Sequence, residues 1–262
     1  MYLNFYKYEG AGNDFVLFDN RSREIDVNGY DWFAKLCDRH FGVGADGVML
    51  LQNRADYDFE MLYYNADGRP GSMCGNGGRC IVAFAKHLGL INGDTHFWAP
   101  DGAHYAEINT AGDWVSLQMS DVERVERVGD DYVLNTGSPH LVRLMTDISL
   151  ASLDVKIEGR KLRYSDLYAE KGINVNFVQL RDEGYVLRTY ERGVENETYA
   201  CGTGATAVAM AMAKHFNKTG QIKTPIKVLG GELDIRFNYD GRVFTDVFLE
   251  GPAKRVFEGK WI

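Results

Sequence analysis

Apolar residues recur along this chain in short runs separated by turn signals. Val16-Leu17-Phe18 follow a GAGNDF turn and predict a strand, as does the run Val48-Met49-Leu50-Leu51 behind FGVGADG. Between them, Tyr30 to His40 carries Trp32, Phe33, Leu36 and Cys37 at helical spacing. Asp58 to Tyr64 alternates apolar with polar, a strand pattern, and NADGRPGS has the chemistry of a loop. Gly77 to Leu88 is apolar at Ile81, Val82, Phe84, Ala85 and Leu88, which predicts a buried helix. Thr95 to Ala99, His104 to Ile108 and Trp114 to Met119 read as strands divided by the turns PDGA and NTAGD.

The segment SDVERVERVGD is charged and shows no core pattern, so a domain boundary is expected near Ser120. Beyond it the order repeats. Tyr132 to Leu134, Phe177 to Leu180 and Tyr185 to Tyr190 read as strands, and Ala205 to Phe216 as an Ala/Met-rich helix. Ile226 to Leu229, Leu233 to Asn238 and Val243 to Leu249 close the set as strands. The expected fold is α+β, with two similar halves over residues 1–119 and 120–250. Each half is a curved, mostly antiparallel sheet packed round one helix that starts at a cysteine.

Composition narrows the function classes. The 262 residues suffice for one large domain or two small ones, and the formal net charge of -8 comes without a block of Lys and Arg. A nucleic-acid binder needs a basic stripe to displace counterions, so no nucleic-acid partner is expected. The first residues, MYLNFYKYEGAGNDF, contain no signal-peptide core, and no apolar run approaches the ~20 residues of a membrane span. Four dispersed cysteines are too few for a disulfide scaffold. The expectation is a cytoplasmic protein with reduced thiols and no membrane partner.

Two of those cysteines stand in the same setting. MCGNGGRCIVAFAKHLG begins at Met73, and ACGTGATAVAMAMAKHFN begins at Ala200. In each, a cysteine is followed by Gly, a small polar residue and Gly, then by an apolar run ending in Lys-His. A cysteine just before a helix sits at the positive end of the macrodipole, which favours its thiolate. The glycines allow close backbone approach, and the unpaired N–H groups of the first turn form an anion site. Two such turns acting on one carboxylate present a thiolate to one face of the adjacent carbon and a thiol to the other. That is equipment for inverting a stereocentre, with the developing charge held by the helix N-termini.

Simpler readings apply elsewhere. Cys37 and Cys80 lie inside helical patterns and read as small buried residues. Metal spacing is absent: Cys74 and Cys80 do not form CxxC, and no HExxH occurs. Gly42 to Gly47 fits GxGxxG but opens onto a strand, and Gly202 to Ala207 fits GxGxxA but lacks the acidic residue about 20 positions on that a dinucleotide requires.

The chain resembles the diaminopimelate epimerase family. The matching stretches are GAGNDFVLFDN, RHFGVGADG, YYNADGRPGSMCGNGGRC, TGSPH, INVNFV, TYERGVENETYACGTGATA and GPAKRVFEG, which run from one end of the sequence to the other. The resemblance implies two pseudo-symmetric lobes with the active site between them. Residues 251–262 return to the first lobe in that arrangement. It implies conversion of LL-diaminopimelate to the meso form, on the route to lysine and cell wall, without pyridoxal phosphate, metal or other cofactor. It also implies a homodimer.

Carried over residue by residue, Cys74 and Cys201 are the acid/base thiols. Gly75, Asn76, Gly202 and Thr203 bind the carboxylate at the reacting carbon through backbone N–H groups. Asn13, Asn65 and Asn174 contact substrate. Arg192 pairs with the distal carboxylate, for which its planar fork is suited. Glu191 holds the distal ammonium and, with His140, tunes the thiols. Turn formation is the plain alternative for Asn13 and Asn65, and a solvated surface for Glu191-Arg192.

Some family members have Gln where this chain has Gly47 and Asn where it has Ser138, so the substrate grip differs there. Two other functions stay open on the residues. One is a related cysteine-pair racemase, such as a proline-racemase-like enzyme. The other is a non-catalytic thiol redox switch that cycles through a disulfide.

Overall fold

A computed structural model describes residues 2–146 and 148–262. The chain forms two compact units, one running up to Leu117 and including Gly251–Ile262, the other Gln118–Glu250. In the first unit the chain passes through β1 (Leu3–Gly10), β2 (Asn13–Asp19), α1 (Tyr30–Cys37), β3 (Gly47–Gln52), β4 (Phe59–Asn65), α2 (Gly75–His87), β5 (Asp94–Ala99), β6 (Gly102–Ile108) and β7 (Trp114–Gln118). The second unit follows with β8 (Val125–Val128), β9 (Asp131–Asn135), β10 (Pro139–Leu144), α3 (Val155–Arg163), β11 (Asn174–Leu180), β12 (Tyr185–Glu191), β13 (Asn196–Thr198), α4 (Gly202–His215), β14 (Gly220–Val228), β15 (Gly231–Tyr239) and β16 (Phe244–Pro252). A last strand, β17 (Lys254–Trp261), pairs antiparallel with β1.

The repeat expected from the sequence extends to strand pairing. In the first unit β2 and β3 are parallel, β3 and β4 antiparallel, β4 and β5 parallel. In the second, β10 and β11 are parallel, β11 and β12 antiparallel, β12 and β14 parallel. Hairpins β1–β2 and β9–β10 open the two series, and antiparallel strands close them. The fold is α+β with curved, mostly antiparallel sheets, as the sequence predicts.

Each sheet wraps one helix that is buried nearly all round. Gly75 through Ala85 are buried in α2, and α4 is buried at nearly every position from Gly202 to Ala213. A helix apolar on every face belongs in a core. α2 packs on β1, β2, β3, β6 and β17, and α4 on strands from β8 to β15. A smaller helix covers each sheet's other face. Phe33 and Leu36 of α1 pack with Phe18, Val48, Leu50 and Tyr64, and Val155 of α3 packs with Leu141, Val175, Phe177 and Tyr190. β3, covered on both faces, is therefore buried at every position. Among the described residues no helix is long and apolar enough to cross a membrane.

Several elements depart from the sequence expectation. α1 stops at Cys37 rather than His40, because the Asp38 carboxylate accepts the N–H groups of His40 and Phe41 at 2.7 and 2.8 Å and turns the chain. The charged segment read as lacking a core pattern carries β8, whose Val125 is buried opposite Leu134. β1, β10, α3, β13 and β17 were not expected. β17 is exposed along most of its length, so no apolar period announces it. α3 is interrupted by Gly159, which ordinarily argues against a helix interior. The glycine is required by packing, since a Cβ there would lie 2.3 Å from Cβ of the fully buried Tyr190.

Gly159→Ala is therefore expected to destabilise the second unit by about 1–3 kcal/mol through overpacking. That outweighs the ~1 kcal/mol that alanine gains in an open helix. Urea unfolding with an unchanged m-value reads the difference. A variant as stable as the parent contradicts this packing.

Candidate active site

Both predicted cysteines are N-caps. Cys74 precedes α2 with φ -116° and ψ 149°, and its sulfur accepts the Gly77 N–H at 3.3 Å. Cys201 precedes α4 with φ -117° and ψ 107° and makes no capping bond with its side chain. Its Sγ lies 3.5 Å from the Thr203 hydroxyl instead. The same turn thus gives the two sulfurs different hydrogen-bond settings. Gly75-Asn76 and Gly202-Thr203 form the first helical residues, where N–H groups project from the helix end toward an anion.

In the first unit, strand register assembles the remaining polar groups. Gly10 and Asn13 pair across a two-residue turn in which Ala11 and Gly12 have φ of 53° and 87°, as a primed hairpin turn demands. Phe15 pairs with Gly47, and Gly47 with Asn65, so Asn65 ends β4 level with the start of β2, with β3 between them. Asn13 is tied into a chain of hydrogen bonds with one polarity. Arg79 donates to Asn76 Oδ1 at 3.0 Å, Asn76 Nδ2 donates to Asn13 Oδ1 at 3.3 Å, and Asn13 Nδ2 donates to the Asp46 carboxylate. A guanidinium only donates, so its contact fixes the orientation of the Asn76 amide.

Arg79 was not singled out from the sequence. It is fully buried, and burial lowers its pKa from the ordinary value. Its guanidinium also donates to the carbonyls of Gly75 and Pro252 at 3.2 and 3.4 Å and bears electrostatically on Cys74, Cys80 and Glu9. A buried cation directly beneath the α2 N-terminus adds positive potential where Cys74 sits. The available signal was an arginine at the heart of an otherwise small and apolar helix.

Gly47, the position where the sequence departs from some relatives, is occupied by a neighbour's ring. A Cβ at Gly47 would meet Tyr63 Cε2 at 2.6 Å, and one at Gly71 would meet the other edge of the same ring at 2.7 Å. Tyr63 fills the slot and lies on the same face of β4 as Asn65.

The second unit gathers the rest. His140 is fully buried and pushed down to about 3, by burial first and by the Arg192 charge second, so it is neutral. Its Nε2 lies 2.9 Å from Ser138 Oγ and 3.0 Å from Thr203 Oγ1. Ser138, discounted in the sequence, therefore belongs to the same network. Asn174 donates from Nδ2 to Ser138 Oγ and the Pro139 carbonyl at 3.0 and 3.1 Å, and its Oδ1 accepts the Arg192 N–H at 2.8 Å. Glu191 accepts from the Thr198 hydroxyl at 3.0 Å, and burial raises its pKa despite that bond. Arg192 is exposed and donates to the Lys171 carbonyl at 3.0 Å.

Cys37 and Cys80 are buried. Desolvation pushes the Cys37 thiol up to about 12 and Cys80 above its ordinary range, which keeps both protonated. Among the described residues, no group of three or more His, Cys, Asp or Glu side chains is placed to hold a metal ion.

Known proteins share this fold and sequence. A phenazine biosynthesis protein of the PhzF family from Bacillus anthracis superposes with a TM-score of 0.74 at 11% identity, covering 100% of this chain and 99% of that one. A probable proline racemase from Agrobacterium radiobacter gives 0.66 at 12% identity, covering 99% and 93%. These establish the fold. In sequence, a diaminopimelate epimerase from Flavobacterium psychrophilum is 52% identical over 258 residues, 98% of this chain and 99% of the relative. One from Aquifex aeolicus is 38% identical over 279 aligned positions, covering 98% and 97%. The family model described as diaminopimelate epimerase matches residues 5–125 and 132–256. With both stretches that hold a cysteine-capped helix inside those matches, the chain belongs to the diaminopimelate epimerase family.

Proposed function

We propose that this protein interconverts LL- and meso-2,6-diaminopimelate by two-base proton transfer, with Cys74 and Cys201 as the bases. The observation that carries the reading is the duplicated cysteine-capped, glycine-opened helix N-terminus, one per unit. Family membership supports the substrate.

In one direction the thiolate of one cysteine takes the α-hydrogen as a proton. The C–H electron pair moves into the adjacent carboxylate. The thiol of the other cysteine then delivers its proton to the opposite face, and that sulfur is left as the thiolate. The reverse reaction exchanges the roles. The α-proton of an amino acid is weakly acidic, so the charge gathered on the carboxylate must be stabilised. The N–H groups of Gly75, Asn76, Gly202 and Thr203 and the two helix dipoles supply that stabilisation. The Arg79 charge acts in the same sense.

The distal amino-carboxylate end distinguishes diaminopimelate from shorter amino acids. Arg192 is assigned the distal carboxylate, its backbone anchored through Asn174. Glu191, beside it, is assigned the distal ammonium, and an ammonium at that point offsets the desolvation that now raises its pKa. Asn13 and Asn65 are assigned to substrate contact from the first unit. Reduced thiols fit a cytoplasmic setting, and likeness to the family supports a homodimer.

Reduced protein without added cofactor is expected to form the meso isomer from LL-diaminopimelate, read by chiral chromatography. Cys74→Ala and Cys201→Ala are each expected to lose epimerisation by at least a thousandfold while keeping the parent's circular dichroism. Substantial turnover in either variant would sink the two-thiol scheme.

Arg192→Ala is expected to raise KM for diaminopimelate at least tenfold, as loss of a charge-assisted pair does. An unchanged KM would remove Arg192 from the distal grip.

A further inference from the structure

The side chains behind Cys201 form a hydrogen-bond relay whose direction can be read from chemistry alone. β11 places Asn176 opposite Val142 on one side and Thr189 on the other. The Asn176 amide has three partners: the Leu141 carbonyl at 2.9 Å, His140 Nδ1 at 3.0 Å and the Thr189 hydroxyl at 3.0 Å. A backbone carbonyl only accepts. The amide atom that faces Leu141 is therefore the NH2 group, and the same nitrogen meets His140 Nδ1. The amide oxygen is left to accept from Thr189. Room for that oxygen comes from Gly204, where a Cβ would lie only 2.4 Å from it.

With a donor fixed on Nδ1, a neutral His140 carries its proton on Nε2. Nε2 then donates to the hydroxyl oxygens it faces, those of Thr203 and Ser138. Ser138 Oγ already accepts from Asn174. Thr203 Oγ1, accepting from the imidazole, has its own hydrogen to place. Ser138 Oγ, 3.4 Å from it, accepts from Asn174 and faces the same imidazole N–H, which leaves the Ser138 hydroxyl to act as a donor there. The Cys201 sulfur stands 3.5 Å away, within reach of such a bond. Burial and the nearby Arg192 charge oppose a second proton on His140. The groups around the ring from Ser138, β11 and α4 are amides and hydroxyls, all uncharged.

We propose that Asn176, braced by Thr189, is a positioning residue that holds His140 in its Nε2–H tautomer, so that the Thr203 side-chain hydroxyl donates to the Cys201 thiolate. The inference rests on the epimerase reading for its purpose, and it gives Thr203 a side-chain role beyond its backbone N–H. His140 then acts on the thiol through a hydroxyl, as an uncharged ring rather than as a cation or base. Cys74 has a different device, since its sulfur accepts a backbone N–H.

Imidazole nitrogen shifts of uniformly 15N-labelled protein test the tautomer without reference to turnover, with His140 assigned by loss of its signals in His140→Gln. The expected spectrum shows a protonated Nε2 and a bare Nδ1. In Asn176→Asp the carboxylate accepts from Nδ1, and the expected spectrum is the opposite tautomer. A wild-type His140 protonated on Nδ1 would overturn the proposal.

The second reading is the acid limb of the pH profile of kcat/KM. Thr203→Val is expected to shift it upward by about one pH unit, a tenfold loss on that limb, as removing a hydrogen bond to an anion does. Thr203→Ser, which keeps the hydroxyl, is expected to hold the wild-type limb. A Thr203→Val limb identical to wild type also overturns the relay. Absence of epimerase activity in the wild type would count against the function and leave the tautomer result standing.

Discussion

A helix N-terminus leaves N–H groups that the helix itself cannot pair, and in both units that end opens with a cysteine. The sheet in each unit serves to bury the helix behind it. α2 and α4 are apolar on all faces, so a flat sheet cannot cover them, and each is wrapped by a curved one. Parallel pairings at matching points of the two series align the strand starts that carry Asn13, His140 and Asn174, and hydrogen bonds join Asn13 to Asn76 and His140 to Thr203 at the cysteine end of their own helix. The proposed chemistry is assigned to the point where the helix dipole is positive and the backbone can approach a ligand.

Two similar turns have been given different surroundings. Cys74 is supported by a backbone N–H and by the buried Arg79 charge, held in place by three acceptors including Asn76. Cys201 is supported by a hydroxyl backed by an uncharged imidazole. A two-base isomerase needs two thiols of similar proton affinity, because each must act as acid in one direction and base in the other. Different neighbours can reach that balance by different routes. Burial raises the pKa of Glu191 against the bond it accepts from Thr198, so its carboxylate is sensitive to any cation brought beside it.

The sequence discloses the repeat, the helices and most strands because their apolar periods are strong. It hides elements whose stability comes from context. β17 has no buried face and depends on backbone pairing with β1, and α3 tolerates Gly159 because Tyr190 fills the space above it. For the site, the cysteine turns are legible because a reactive atom recurs within a fixed motif. Arg79 and Asn176 are not, since a charge inside a helix and an amide inside a strand acquire meaning only from partners distant in sequence. Gly47 shows the same limit. A missing side chain at one position is explained by the ring of Tyr63 from another strand.

The central proposal is that two cysteine sulfurs, one a thiolate and the other a thiol with a single exchangeable hydrogen, work on opposite faces of one carbon. The most direct measurement is the hydrogen content of substrate and product early in a reaction of LL-diaminopimelate in deuterium oxide. With two bases, the hydrogen removed stays on one sulfur while solvent deuterium arrives from the other. Meso product formed at low conversion should therefore carry α-deuterium, and the remaining LL substrate should still be protiated. Product that retains the substrate's hydrogen, or substrate that gains deuterium before product appears, would contradict the account.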